Sequence, residues 1–122
     1  MEKELFDYVA ERADILVASG ASTQVTVDAA QAWKDAVAAD SSDAAVEAAT
    51  TALLDILEGR PTTIDGVIAF AQGPADEKFG EEVAAGILAK QTARKEQGAK
   101  YCDCDACTAA SELLGKFGRI EL

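Results

Sequence analysis

The chain has 122 residues with 11 basic and 22 acidic side chains, a net charge of −11, and no histidine. A length of this order suits one domain that buries roughly two-thirds of its unfolded surface, and without imidazole no Ser-His-Asp or Cys-His catalytic set and no His-containing zinc or di-iron site is available. The acidic balance opposes phosphate-backbone binding, which depends on Lys and Arg releasing counterions, so no nucleic-acid partner is expected.

Leu5, Phe6, Val9, Ala13 and Leu16 recur at steps of three and four up to Ser19-Gly20, which predicts a first helix. Ser22 or Thr23 then caps a second helix with Val25, Ala29, Ala32, Trp33 and Ala36 facing inward. Thr23 to Val27 also has strand-like alternation, but the Ala-rich dozen that follows favours helix. A third helix takes Ser41 or Ser42 as cap and Val46, Ala49, Leu53, Ile56 and Leu57 as its apolar stripe, with Gly59 and Pro61 ending it. Thr63 or Thr62 caps a short fourth helix carrying Ile64, Val67, Ile68 and Ala71, stopped by Gly73-Pro74. Pro74 suits the first position of a further turn, complemented by Asp76 and Glu77. From Gly80 to about Gln97 the pattern predicts a longer helix presenting Val83, Ala84, Ile87, Leu88 and Gln91, with Lys90, Arg94 and Lys95 towards its negative end. Gly98 ends it, Ala99 to Asp105 is irregular, and Asp105 caps a last helix bearing Ala106, Ala109, Ala110, Leu113 and Phe117.

The architecture expected is all-α, a compact single-domain bundle of about five to seven antiparallel helices over residues 1–122, with a cysteine-bearing loop at 98–107 leading into the last helix. Its 26 alanines against 27 Leu, Ile, Val and Phe imply a thin core and close helix contacts. The Gly59 to Thr63 turn reads as a turn within one core. Charge is concentrated at the front, with 4 basic and 12 acidic residues up to Arg60 and 7 and 10 beyond it. The bland reading is a solvated surface, and the sharper one an acidic face for a basic partner.

Chemistry concentrates in Cys102, Cys104 and Cys107, a Cys-x-Cys-x-x-Cys run. Thiolates are soft ligands, and a Cys-x-x-Cys whose second thiol enters a helix is a spacing used by structural zinc sites. A four-coordinate site would draw its fourth ligand from Asp103 or Asp105, from water, or from a thiolate of a second copy of the chain. Asp103 and Asp105 oppose thiolate formation by like charge, a balance that a bound dication reverses. Two readings compete with metal binding. The cysteines can be merely structural, or Cys104 and Cys107 can form a disulfide with Cys102 as the exchanging thiol, although redox Cys-x-x-Cys motifs normally follow a strand.

Elsewhere the signals are structural. Gly59-Arg60-Pro61-Thr62-Thr63 lacks the phosphate-loop pattern, Asp40-Ser41-Ser42-Asp43 lacks the central glycine and closing glutamate of a calcium loop, and adjacent Glu81 and Glu82 point apart on a helix. Trp33, Phe6, Phe70, Phe79 and Phe117 read as core. The Met1-Glu2-Lys3-Glu4 start carries acid where a secretory signal carries a basic segment, no apolar run reaches membrane-spanning length, and three cysteines suit a reducing compartment, so a cytoplasmic protein without membrane association is expected.

Two stretches, Thr62-Thr63-Ile64-Asp65-Gly66-Val67-Ile68-Ala69-Phe70-Ala71 and Gly98-Ala99-Lys100-Tyr101-Cys102-Asp103-Cys104-Asp105-Ala106-Cys107, resemble a family of small bacterial helical proteins often catalogued as heat-shock molecular chaperones of the ninety-kilodalton class. The resemblance implies that the cysteine cluster is the family's recognisable feature, with a shared metal or thiol role. It carries over no ATP site, since a chaperone ATPase needs a sheet and Gly-rich lid segments. The leading expectation is therefore a small helical protein, not an enzyme, that binds zinc first or iron second through Cys102, Cys104 and Cys107. A chaperone-like interaction module and a thiol redox protein are the alternatives, and a homodimer or another protein is the expected partner.

Overall fold

The computed structural model describes residues 1–121, apart from the side chains of residues 74–76. The acidic complement expected from Asp76 lies outside the described residues. Among the described residues seven helices make up the regular structure: α1 (Lys3–Ala18), α2 (Gln24–Ala39), α3 (Asp43–Leu57), α4 (Ile64–Ala71), α5 (Pro74–Phe79), α6 (Glu81–Glu96) and α7 (Asp105–Lys116). No strand forms among the described residues, and a lone antiparallel bridge joins Thr63 to Tyr101. The fold is all-α, as the periodicity predicted.

The helix starts follow capping chemistry. Thr23, Ser42 and Thr63 each accept a backbone N–H from the third residue on, namely Thr26, Ala45 and Gly66, which satisfies a donor that the first helical turn leaves unpaired. Gly66 also has a steric reason to be glycine. A Cβ there would lie 3.1 Å from the capping Thr63 hydroxyl and 3.2 Å from the Thr62 methyl.

The chain groups into two compact units, Met1–Pro61 with Cys104–Leu122, and Thr62–Asp103. The boundary at Pro61 falls on the turn after Gly59. In the first unit α1 packs on α2 and α7, and α3 packs on α2 and α7. Leu16, Leu53, Leu57, Leu113 and Leu114 are fully buried at its centre with Val9 and Ala13. Burying each leucine contributes roughly 1.5–3 kcal/mol. Trp33 stacks at a tilt on Phe6, with ring centroids 5.5 Å apart, and its indole N–H donates to the Thr50 hydroxyl at 3.0 Å. Thr50 in turn donates to the Val46 carbonyl at 2.8 Å, so these polar atoms enter the core already paired.

The inward faces differ from expectation at four positions of α2 and α3. Val25, Ala32 and Ala36 are exposed, because the buried stripe of α2 runs through Thr26, Ala29, Ala30 and Trp33. The hydroxyl of Thr26 hides this register from an apolar pattern search, yet that hydroxyl is satisfied by the Thr23 side chain at 3.1 Å. On α3, Ile56 is exposed while Thr50 and Leu54 are buried beside Val46, Leu53 and Leu57.

In the second unit α6 packs against both α4 and α5. Ile64, Val67, Ala71 and Ala84 are its buried apolar residues among those described, and Val83, expected inward, is half exposed. Phe70 meets Phe79 edge to face at 6.2 Å.

Candidate metal centre

The cysteine run begins where α6 ends. Gly98 adopts φ +92°, a conformation costly for residues with a Cβ, and lets the Ala99 N–H return to the Arg94 carbonyl at 3.0 Å. The chain then runs extended beside the start of α4: Ile64 N–H donates to Lys100 O at 2.9 Å and Cys102 N–H to Thr62 O at 2.8 Å. Arg94 adds a guanidinium bond to the Tyr101 carbonyl at 2.9 Å. Cys102 therefore sits on backbone held from both sides.

Asp103 is anchored next. Its Oδ2 meets the Lys90 ammonium at 2.7 Å and its Oδ1 accepts from the Gln91 amide at 2.9 Å, while Arg94 lies 3.9 Å away. Hydrogen bonding from Lys90 first, then from Gln91, holds the Asp103 carboxyl below its ordinary value. These cations also offset the negative charge that Asp103 would otherwise place beside the sulfurs. Gln91 is buried and was expected to face inward, but its role as an anchor for Asp103 was not foreseen. A long polar side chain on the inward stripe of a helix is the signal that points to it.

Cys104, not Asp105, is the N-cap of α7. Its backbone is extended at φ −62°, ψ 156°, and its Sγ accepts the Cys107 N–H at 3.3 Å. Sulfur here takes the place usually held by Ser or Asp oxygen, and a backbone N–H directed at a sulfur at a helix start favours negative charge on it. Asp105 becomes the first helical residue, its Oδ1 accepting from the Ser19 hydroxyl and from the Ala106 N–H at 2.8 Å. Cys107 lies in the first turn of α7, which is anchored by Ala106, Ala109, Ala110, Leu113 and Leu114 in the core of its unit.

Within these six residues the three sulfurs all lie within 4.8 Å of one another. Each cysteine is half-buried, and none is joined in a disulfide. An ion with four thiolate ligands at about 2.3 Å has its sulfurs about 3.8 Å apart, so the trio is at most about 1 Å wider than such a ligand set. The arrangement can hold a metal ion. Neither Asp103 nor Asp105 joins the group, which contains the three cysteines only. Asp103 is engaged through both oxygens, by Lys90 and Gln91, and Asp105 through Oδ1, by Ser19 and the Ala106 N–H.

No protein-family model matches the chain, and no curated protein or solved structure matches it either. The class that fold and site define is an all-α protein with a three-cysteine cluster able to hold a metal. Among the described residues, no helix is long and apolar enough to cross a membrane.

Proposed function

We propose that this protein binds a transition-metal ion, zinc first and iron second, through Cys102, Cys104 and Cys107. The observation that carries the reading is the convergence of three sulfurs to within 4.8 Å over six residues. Thiolate ligands select soft and borderline ions, and zinc imposes no geometry through its d electrons, so it tolerates an incomplete protein set. The N–H directed at Cys104 Sγ supports a charged sulfur, and the neutralised Asp103 removes a source of repulsion. A reducing compartment such as the cytoplasm keeps such thiols available.

Elemental analysis after purification without chelator tests the reading. About one equivalent of metal per chain is expected, with the thiols protected from alkylation until the metal is removed. Less than about a tenth of an equivalent, with three freely titrating thiols, overturns it. Replacing all three cysteines by serine removes the metal and several kcal/mol of stability (order of magnitude), because metal binding free energy adds to folding free energy. A triple variant with unchanged melting transfers the case to an interaction module with incidental cysteines.

A further inference from the structure

The geometry points to an open coordination position: the ion held by Cys102, Cys104 and Cys107 takes its fourth ligand from solution, as a small-molecule thiolate, with water there in its absence. The inference rests on the metal reading above and deepens it by naming the ligand class the site receives.

Three observations converge. Among the described residues the group of potential ligands contains three sulfurs and no carboxylate. Both Asp103 oxygens are committed, Oδ2 to Lys90 at 2.7 Å and Oδ1 to Gln91 at 2.9 Å, so recruiting this side chain would break two charge-assisted bonds, one of them an ion pair. Asp105 Oδ1 is held by Ser19 and by the Ala106 N–H at 2.8 Å, which aims that oxygen at the helix start. A four-coordinate ion with three protein ligands leaves one position for an outside donor.

A second copy of the chain is a poorer donor on grounds of symmetry. In a two-fold dimer a shared ion on the axis takes equal numbers of ligands from each copy, so four positions divide two and two and leave a thiol of each trio unused. Each copy also carries a net charge of −11, which opposes close approach. A small thiolate meets neither obstacle, and its softness matches the ligands already present.

Cobalt(II) supplied at one equivalent to the full chain reports the ligand set through its thiolate charge-transfer and ligand-field bands, and 2-mercaptoethanol is the probe. The expected result is a saturable rise in charge-transfer intensity of about one-third, for a fourth Co–S bond added to three, with the protein sedimenting as a monomer throughout. Asp103→Asn should give the same rise. Three outcomes overturn the inference: bands unmoved by thiol while cobalt stays bound, cobalt retained by a dimer at one ion per two chains, or an Asp103→Asn spectrum already different before thiol is added. A chain that binds no cobalt and shows three alkylatable cysteines instead overturns the metal reading itself.

Discussion

In the unit formed by Met1–Pro61 and Cys104–Leu122, five leucines from α1, α3 and α7 are shut away from solvent. In Thr62–Asp103 the buried apolar residues described are Ile64, Val67, Ala71 and Ala84, while Phe79 and Val83 are about half exposed. The second unit compensates with directional bonds: the Thr62 and Ile64 backbone pairs with the Lys100–Cys102 segment, and Lys90, Gln91 and Arg94 gather Asp103 and the Tyr101 carbonyl. A chain segment too poor in large apolar side chains to build a deep core can still order a loop, provided its polar groups are paired. Cys104 and Cys107 owe their placement to a helix rooted in leucine, and Cys102 owes its placement to hydrogen bonds.

The sharpest way to break this comparison is to remove a leucine. Leu113 is fully buried in α7, and Leu113→Ala should cost about 2–5 kcal/mol, transfer and cavity terms together. Native-state hydrogen exchange of amides in α1, α2, α3 and α7 checks it. A loss under about 1 kcal/mol would mean that the leucine core is not what holds the first unit. A smaller effect is expected from Thr50→Val, which preserves shape but leaves the Trp33 indole N–H without its acceptor. The expected cost is about 1–3 kcal/mol by chemical denaturation, the desolvation penalty of one stranded donor.

The legible part of the molecule was the part written in apolar periodicity and turn chemistry. Val46, Leu53 and Leu57 at helical spacing announced α3, and Gly98 announced the end of α6, because these features act locally. What escaped were positions where polar atoms enter the interior already paired, Thr26 with Thr23 at the start of its own helix and Thr50 with Trp33 of the neighbouring one. Thr26 and Thr50 are buried through such pairing, and their hydroxyls disguise the inward faces, which an apolar pattern places at Val25 and Ile56. At the site, the three cysteines and their convergence were readable from spacing alone. The capping role of Cys104 was not, since Asp105 is the better cap by propensity. In the structure Cys104 Sγ accepts the Cys107 N–H, while Asp105 Oδ1 accepts from the Ser19 hydroxyl. Nor could spacing show that Lys90 and Gln91 would take both oxygens of Asp103, thirteen and twelve residues on.

The smallest expected effect tests the second unit's side of the comparison, through Asp103→Asn. Lys90 and Gln91 hold the folded carboxyl below its unfolded value, so the unfolded chain binds more protons in the interval between the two. The stabilisation is complete above the unfolded value, near pH 4, and is lost as pH falls through the folded one. Its size is limited, because the Asp103 side chain is 31% exposed and that of Lys90 is 64% exposed. After solvent screening the contribution is about 1 kcal/mol or less. Asp103→Asn keeps an oxygen for Gln91 but gives up the charge facing Lys90, so the variant should be less stable than the parent near neutral pH, with a deficit that shrinks at a pH well below the unfolded value as the folded carboxyl takes up its proton. Urea denaturation at both pH values, with exchange of the Cys102 amide as a local probe, distinguishes the cases. A deficit that persists unchanged in acid would show that the carboxylate acts through shape rather than charge, and the loop would then owe its order to the backbone pairing of Cys102 with Thr62 instead of the Lys90 ion pair.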